Sequence, residues 1–189
     1  MIVVGLGNPG PRYEGTRHNA GAMTLAVLGE RAGSALKRHK SGCLVAETSL
    51  AGRCVVLARP LSFMNESGRA TRAVARWYKA EPEDLVVVHD EIDIPFGQVR
   101  VKRGGGTAGH NGLKSVAAHL GTGEFGRVRI GVSRPAGGRD PADWVLSEFT
   151  AGEGRELASI LDRAADAVER IVEVGLDAAM NEFNVRPSP

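Results

Sequence analysis

Cysteine is scarce in this sequence, with two residues in 189, Cys43 and Cys54. Segments 43–50 and 53–59 read as two strands joined at Ala51-Gly52. In the simplest hairpin register residue 50 faces 53, which sets Cys54 opposite Ser49 and away from Cys43. That excludes a disulfide framework and leaves two reduced, semi-buried thiols, as expected in the cytoplasm. Long apolar runs are also missing. None approaches the roughly 20 residues of a membrane span. The first residues show no basic segment followed by an apolar stretch and a small-residue cleavage site, so no signal peptide is expected. Strong net charge is absent too, at +2, so any nucleic-acid partner has to be argued from local clusters. No repeat, low-complexity segment or linker breaks the chain. One domain over 1–189 is expected, with 153–183 as a helical segment within it. An apolar fraction of 42% is ordinary for such a domain.

Periodicity supplies the elements. Strands are predicted over 1–5, 43–49, 53–59, 84–89, 97–103 and 127–133, and helices over 17–31, 66–78, 110–120, 153–174 and 176–183. Leu85-Val86-Val87-Val88 is apolar on successive residues, as in a strand buried on both faces. The segments 97–103 and 127–133 alternate instead. Val99 and Val101 oppose Arg100 and Lys102, and Val128 and Ile130 oppose Arg127 and Arg129. Leu157, Ile160, Leu161, Ala164, Ala165, Val168, Ile171 and Val172 keep helical spacing, and Thr150 with Glu153 forms a capping box ahead of them. Strands interleaved with helices predict an α/β sandwich, and the 43–59 hairpin makes its sheet mixed.

Polar residues gather at the ends of these elements. Gly5-Leu6-Gly7-Asn8-Pro9-Gly10 spells a dinucleotide fingerprint, but Pro9 and Pro11 flank the third glycine and prevent the helix that would receive a pyrophosphate. What remains is Asn8 and Tyr13 in a loop and His18 at a helix start. His89 and Asp90 end the apolar strand. Ser62 to Gly68 opens one helix, and Gly109-His110-Asn111-Gly112 opens another. A His18–Asp90 pair would fix an imidazole tautomer and leave the other nitrogen to take a proton from water. No nucleophile elbow competes with this. Asn8, Asn65 and Asn111 suit a substrate with amides or a developing oxyanion.

Blander readings stay open at this point. His18 suits a helix start structurally, and Asp90 or Asn65 a cap. Phe63 and Met64 suit a core, His89 a satisfied buried site, and His39 and His119 the surface. His89-Asp90 also occurs in metal phosphohydrolases, but there it sits on a helix, and no close metal-ligand spacing accompanies it here. Arg100, Lys102 and Arg103 precede Gly104-Gly105-Gly106-Thr107-Ala108-Gly109, a glycine-rich loop entering a helix and hence an anion site. Arg127 and Arg129 extend that basic surface, unless all are solvated hairpin charges.

Four blocks fall in order: GLGNPGPRYEGTRHNAG (5–21), RPLSFMNESG (59–68), VVHDEIDIPFG (87–97) and GGGTAGHNGLKS (104–115). Together they resemble the bacterial-type peptidyl-tRNA hydrolase family, from residue 1 to about 150, with a compatible helical tail. The resemblance implies an enzyme that cleaves the ester between a peptide and the terminal ribose of tRNA. It implies a three-layer α/β sandwich with a mixed central sheet and the C-terminal helices on one side. It further implies a monomer in the cytoplasm, with no cofactor and no metal. By the same resemblance His18 is the general base, Asp90 orients it, and Asn8 lies in the catalytic centre. Tyr13, Met64, Asn65, His110 and Asn111 hold the substrate. Arg100 and Lys102, with Arg103 and Arg129 beside them, meet tRNA phosphate. A non-catalytic RNA-binding protein on the same scaffold is the alternative. One departure is visible: the family usually has glycine where this chain has Ala108.

Overall fold

The computed structural model describes residues 1–184; the last five residues of the expected domain lie outside the described ones. The order is β1 (Ile2–Gly5), α1 (Ala20–Arg31), β2 (Lys37–Arg38), β3 (Cys43–Leu50), β4 (Arg53–Pro60), α2 (Ser67–Trp77), β5 (Leu85–Glu91), β6 (Val99–Arg103), α3 (Asn111–Leu120), β7 (Gly126–Gly131), α4 (Pro141–Val145), α5 (Ala151–Val174) and α6 (Leu176–Phe183). The strands form one mixed sheet in the order β2-β3-β4-β1-β5-β7-β6. β4, β1, β5 and β7 run parallel. The pairs β2–β3, β3–β4 and β6–β7 are antiparallel.

The sheet separates two cores. Val3, Val86, Val88, Val99, Val101, Val128 and Ile130 pack with Leu25 and Leu28 of α1 and with Ile160, Val168 and Ile171 of α5. Ile2, Val4, Leu85 and Val87 pack on the other side with Val74 of α2 and Leu113 and Val116 of α3. Successive residues of β1 and β5 thus feed opposite cores, which explains their unbroken apolar runs. On β6 and β7 only the α5 side is apolar. Arg100, Lys102, Arg127 and Arg129 face the α2–α3 side, beyond the cover of those helices, and Arg103 at the end of β6 turns to Asp177 of α6.

The expected strands and helices are present to within two residues at each end, except that 17–19 of the first helix form a 3-10 turn and α1 starts at Ala20, and Thr150 and Glu153 make the anticipated capping box. β2 and α4 were not anticipated, being 2 and 5 residues long, too short to carry a periodic signal. Ser49 faces Cys54 as the hairpin register required, and both cysteines are free thiols. Cys43 is buried, and burial pushes its thiol up to about 11. Cys54 is exposed rather than semi-buried, because it lies near the hairpin tip, beyond the stretch of β4 that pairs with β1 from Val56 onward.

Candidate active site

The carboxyl ends of β1, β4 and β5 lie side by side, and the polar residues singled out above converge there. Open parallel sheets place sites at these ends because the connecting loops diverge from them. Asp90 lies near the end of β5, 2% exposed. His18 sits in a 3-10 turn (Arg17–Asn19) that leads into α1. That turn reaches β5 because Gly21 lets the helix backbone meet the Val88 carbonyl directly, where a Cβ would collide.

The His18 Nδ1–H donates to Asp90 Oδ1 at 2.9 Å and to Oδ2 at 3.1 Å. A carboxylate can only accept, so the contact fixes the tautomer and leaves the Nε2 lone pair unused. Burial opposes a charged His18. The Asp90 charge and hydrogen bond outweigh it, so the imidazole pKa is raised above its ordinary 6.5. Burial would likewise raise the Asp90 carboxyl, but the facing imidazoles hold it well below the usual carboxylate range.

His110 completes the cluster. Its Nδ1 accepts from the backbone N–H groups of Gly112 and Leu113, at 3.1 and 3.3 Å, and so caps α3. Its Nε2–H must then be the donor to Asp90 Oδ1, at 3.0 Å. The resemblance placed His110 on the substrate rim; its side chain also grips the central carboxylate. Metal binding fits these groups poorly, although His18 Nδ1, Asp90 and His110 Nε2 lie within 4.8 Å of one another. His110 could ligate through Nε2 only as an imidazolate, or by releasing the α3 cap.

Asn8 is held on both sides. The Asn19 side chain accepts from the Asn8 backbone N–H at 2.8 Å and donates to its carbonyl at 3.0 Å. Asn8 Oδ1 accepts from the Met64 N–H at 2.8 Å. Because that N–H can only donate, the amide orientation is settled and the Asn8 NH2 remains the free end. Neither Asn19 nor Arg17 was singled out from the sequence, though both flank His18. Arg17 is 1% exposed. It stacks on the Trp144 ring at 3.6 Å, donates to Glu153 Oε2 at 2.6 Å, and also bonds Ser147 and Glu148. It ties the His18 turn to the 144–153 segment. A lone sequence carries no signal for contacts that distant.

His18, Asp90, His110 and Asn111 line one cleft of about 380 Å³, with Ala108 and Val145 on its walls. Met64 is buried and joined to Asn8, whereas Phe63 is 52% exposed and takes the Tyr13 ring edge-on. Phe63 is therefore not a core residue. Asn65 is exposed within a 3-10 turn, caps no helix, and lines a separate groove with Arg69 and Lys40. His89 is only half satisfied: its Nδ1–H donates to the Asp90 carbonyl at 2.6 Å, and Nε2 has no partner among the described residues. Complete burial pushes its pKa down to about 3, so it stays neutral and apart from the carboxylate.

Arg100, Lys102 and Arg129 share the basic side of β6–β7, with Arg100 paired to Arg129. Arg103, at the strand end, forms an ion pair with Asp177 at 3.1 Å. Arg127 departs from expectation. It is 2% exposed and donates to the carbonyls of Gly106, Gly105 and Gly123 at 2.6, 2.7 and 3.2 Å. It anchors the glycine-rich loop rather than extending the basic surface. Within that loop Ala108 has φ +47°, the left-handed region that favours glycine.

The sequence profile of the peptidyl-tRNA hydrolase family matches residues 2–189. A curated peptidyl-tRNA hydrolase from Frankia alni is 56% identical over 183 residues, covering 97% of this chain and 93% of that protein. One from Mycolicibacterium smegmatis is 55% identical over 182 residues, covering 96% and 95%. The crystal structure of peptidyl-tRNA hydrolase from Acinetobacter baumannii superposes with a TM-score of 0.91 at 34% identity, covering 97% of this chain and 94% of that one. By sequence over nearly its whole length, and by fold, the chain belongs to the peptidyl-tRNA hydrolase family.

Proposed function

We propose that this chain hydrolyses the ester of peptidyl-tRNA, releasing the peptide and reusable tRNA. The observation that carries the mechanism is the His18–Asp90 contact, which leaves His18 Nε2 unprotonated at the cleft. Water attacks the ester carbonyl while Nε2 takes its proton. Negative charge develops on the carbonyl oxygen, and the Asn8 NH2 is the side-chain donor held ready for it. The tetrahedral intermediate collapses with cleavage of the C–O bond to the ribose, and the proton on His18 passes to the leaving ribose oxygen. Asp90 stabilises the imidazolium between these two transfers. No cofactor is needed for the proton and electron balance.

Tyr13, Met64, His110 and Asn111 beside this centre, and Asn65 in the adjoining groove, position the two limbs of the substrate. Arg100, Lys102 and Arg129 offer cations for tRNA phosphate on the uncovered side of β6–β7, whereas Arg103, at the strand end and paired to Asp177 of α6, would join them only by releasing that carboxylate. The enzyme acts as a single-domain monomer in the cytoplasm. Among the described residues no helix is long and apolar enough to cross a membrane. Incubation of the purified chain with N-blocked aminoacyl-tRNA tests the reading. Release of the blocked amino acid and intact tRNA is expected. Tight tRNA binding without release would instead support the non-catalytic alternative.

A further inference from the structure

Charge in this chain is nearly balanced overall but sorted by face. α2 and α3 carry Arg69, Arg72, Arg76 and Lys114 and no carboxylate. α5 and α6, across the sheet, carry eight carboxylates against Arg155, Arg163 and Arg170. Separation of this kind turns one face of a protein toward polyanions. Arg69, Arg72 and Arg76 are all exposed and recur at i, i+3 and i+7, on one side of α2. At ~1.5 Å rise per residue they span about 10 Å along the helix. Their side chains join no ion pair among the described residues; on the opposite side Arg31, Arg103 and Arg170 are paired, and Arg155 and Arg163 stand among the carboxylates of α5.

Two further features continue this stripe. Lys40 places its ammonium 3.4 Å over the ring of Trp77, which is 50% exposed, and His39 meets the same ring edge-on. The lysine charge is thereby held in place beside the end of α2. Between Lys40 and Arg69 runs a groove of about 710 Å³, also lined by Ser62, Asn65 and His119, with Glu66, just ahead of α2, as its one carboxylate. The groove is continuous with the catalytic centre along the chain, because Asn65 follows Met64, whose N–H is bonded to Asn8. It lies on the β4 side of that centre, opposite the β6–β7 cations.

We propose that Lys40, Arg69, Arg72 and Arg76 form a second RNA-backbone contact surface, which holds the acceptor arm of the substrate tRNA from the α2 side. Charge complementarity selects the occupant: cations spaced along one line, without a carboxylate on their helix, suit a phosphodiester chain. The proposal rests on tRNA being the substrate, but not on cleavage.

The test uses the full chain with Arg69→Gln and Arg76→Gln together. Arg155→Gln with Arg163→Gln is the control, removing the same charge from α5. Binding of deacylated tRNA is titrated at several salt concentrations, and turnover is measured on N-blocked aminoacyl-tRNA and on N-blocked aminoacyl-adenosine. The α2 variant should weaken tRNA binding and raise KM roughly three- to tenfold. It should also flatten the log–log salt slope by about 0.7–0.9 per lost contact. The short substrate should be cleaved as by the parent, and the control should bind tRNA normally. Equal tRNA affinity and salt slope in the α2 variant and the control would overturn the proposal. So would an equal loss on N-blocked aminoacyl-adenosine, since that would place the blocked amino acid or the terminal nucleoside, and not the RNA backbone, in the groove. If the parent binds tRNA but cleaves nothing, α2-dependent binding still supports the surface while the hydrolase reading fails.

Discussion

At the residue scale the site turns on one carboxylate shared by two imidazoles. Asp90 raises the His18 pKa above 6.5, and His18 must be neutral to accept a proton. The acid limb of kcat/KM should therefore have its midpoint above 6.5 and fall as the pH drops through it. Asp90→Asn removes the charge that stabilises the imidazolium. Its limb should move to lower pH and its plateau should drop, by less than the ~10²–10⁴-fold attributed to a general base. An unmoved limb in a pH–rate profile would count against the pairing. Ala108 poses a different residue-scale question. Its φ of +47° costs a non-glycine residue about 1–2 kcal/mol, and glycine loosens the unfolded chain by about 0.4–1 kcal/mol. Ala108→Gly should thus stabilise the protein by roughly 0.5 kcal/mol or slightly more, read as a higher midpoint in urea, with kcat nearly unchanged.

At the element scale, Arg127 links β7 to the glycine-rich loop, and that loop leads directly to the His110 cap of α3. The guanidinium satisfies three carbonyls at once, while Gly105 and Gly106 are exposed enough for water to replace it in part. Arg127→Met should cost about 2 kcal/mol in a denaturation curve. It should lower kcat more than it raises KM, because His110 would hold Asp90 less firmly. A large rise in KM for tRNA with kcat intact would return Arg127 to the phosphate-binding surface. The same residue shows where reading the sequence stops. Alternation correctly set Arg127 and Arg129 on the face opposite Val128 and Ile130, but alternation reports a face and not what folds over it. Burial of Arg127 depends on a loop more than 20 residues away. Likewise the blocks around Asn8, Asn65, Asp90 and His110 marked the polar loops. The Asn19 clamp, the Arg17 anchor and the exposure of Phe63 follow from tertiary contacts that no local pattern encodes. β2 and α4 were invisible for lack of length.

At the scale of the whole molecule, the parallel strands β4, β1 and β5 bring Asn8, Met64 and Asp90 to one end of the sheet. α1 then delivers His18 and α3 delivers His110. This assembly was legible as a fold class from unbroken apolar strands beside alternating ones, since two-sided and one-sided burial leave different patterns. Cations remain on the α2–α3 side and on the open flank of β6–β7, and carboxylates on the α5–α6 side, so a polyanionic substrate meets the face that carries the cleft. The chemistry rests on the His18 Nε2 lone pair as the activator of water. Its most direct test is single-turnover hydrolysis of N-blocked aminoacyl-tRNA by His18→Ala, with tRNA affinity measured on the same preparation. A fall in rate of about 10²–10⁴-fold with near-parental affinity is expected. A rate close to that of the parent would contradict it.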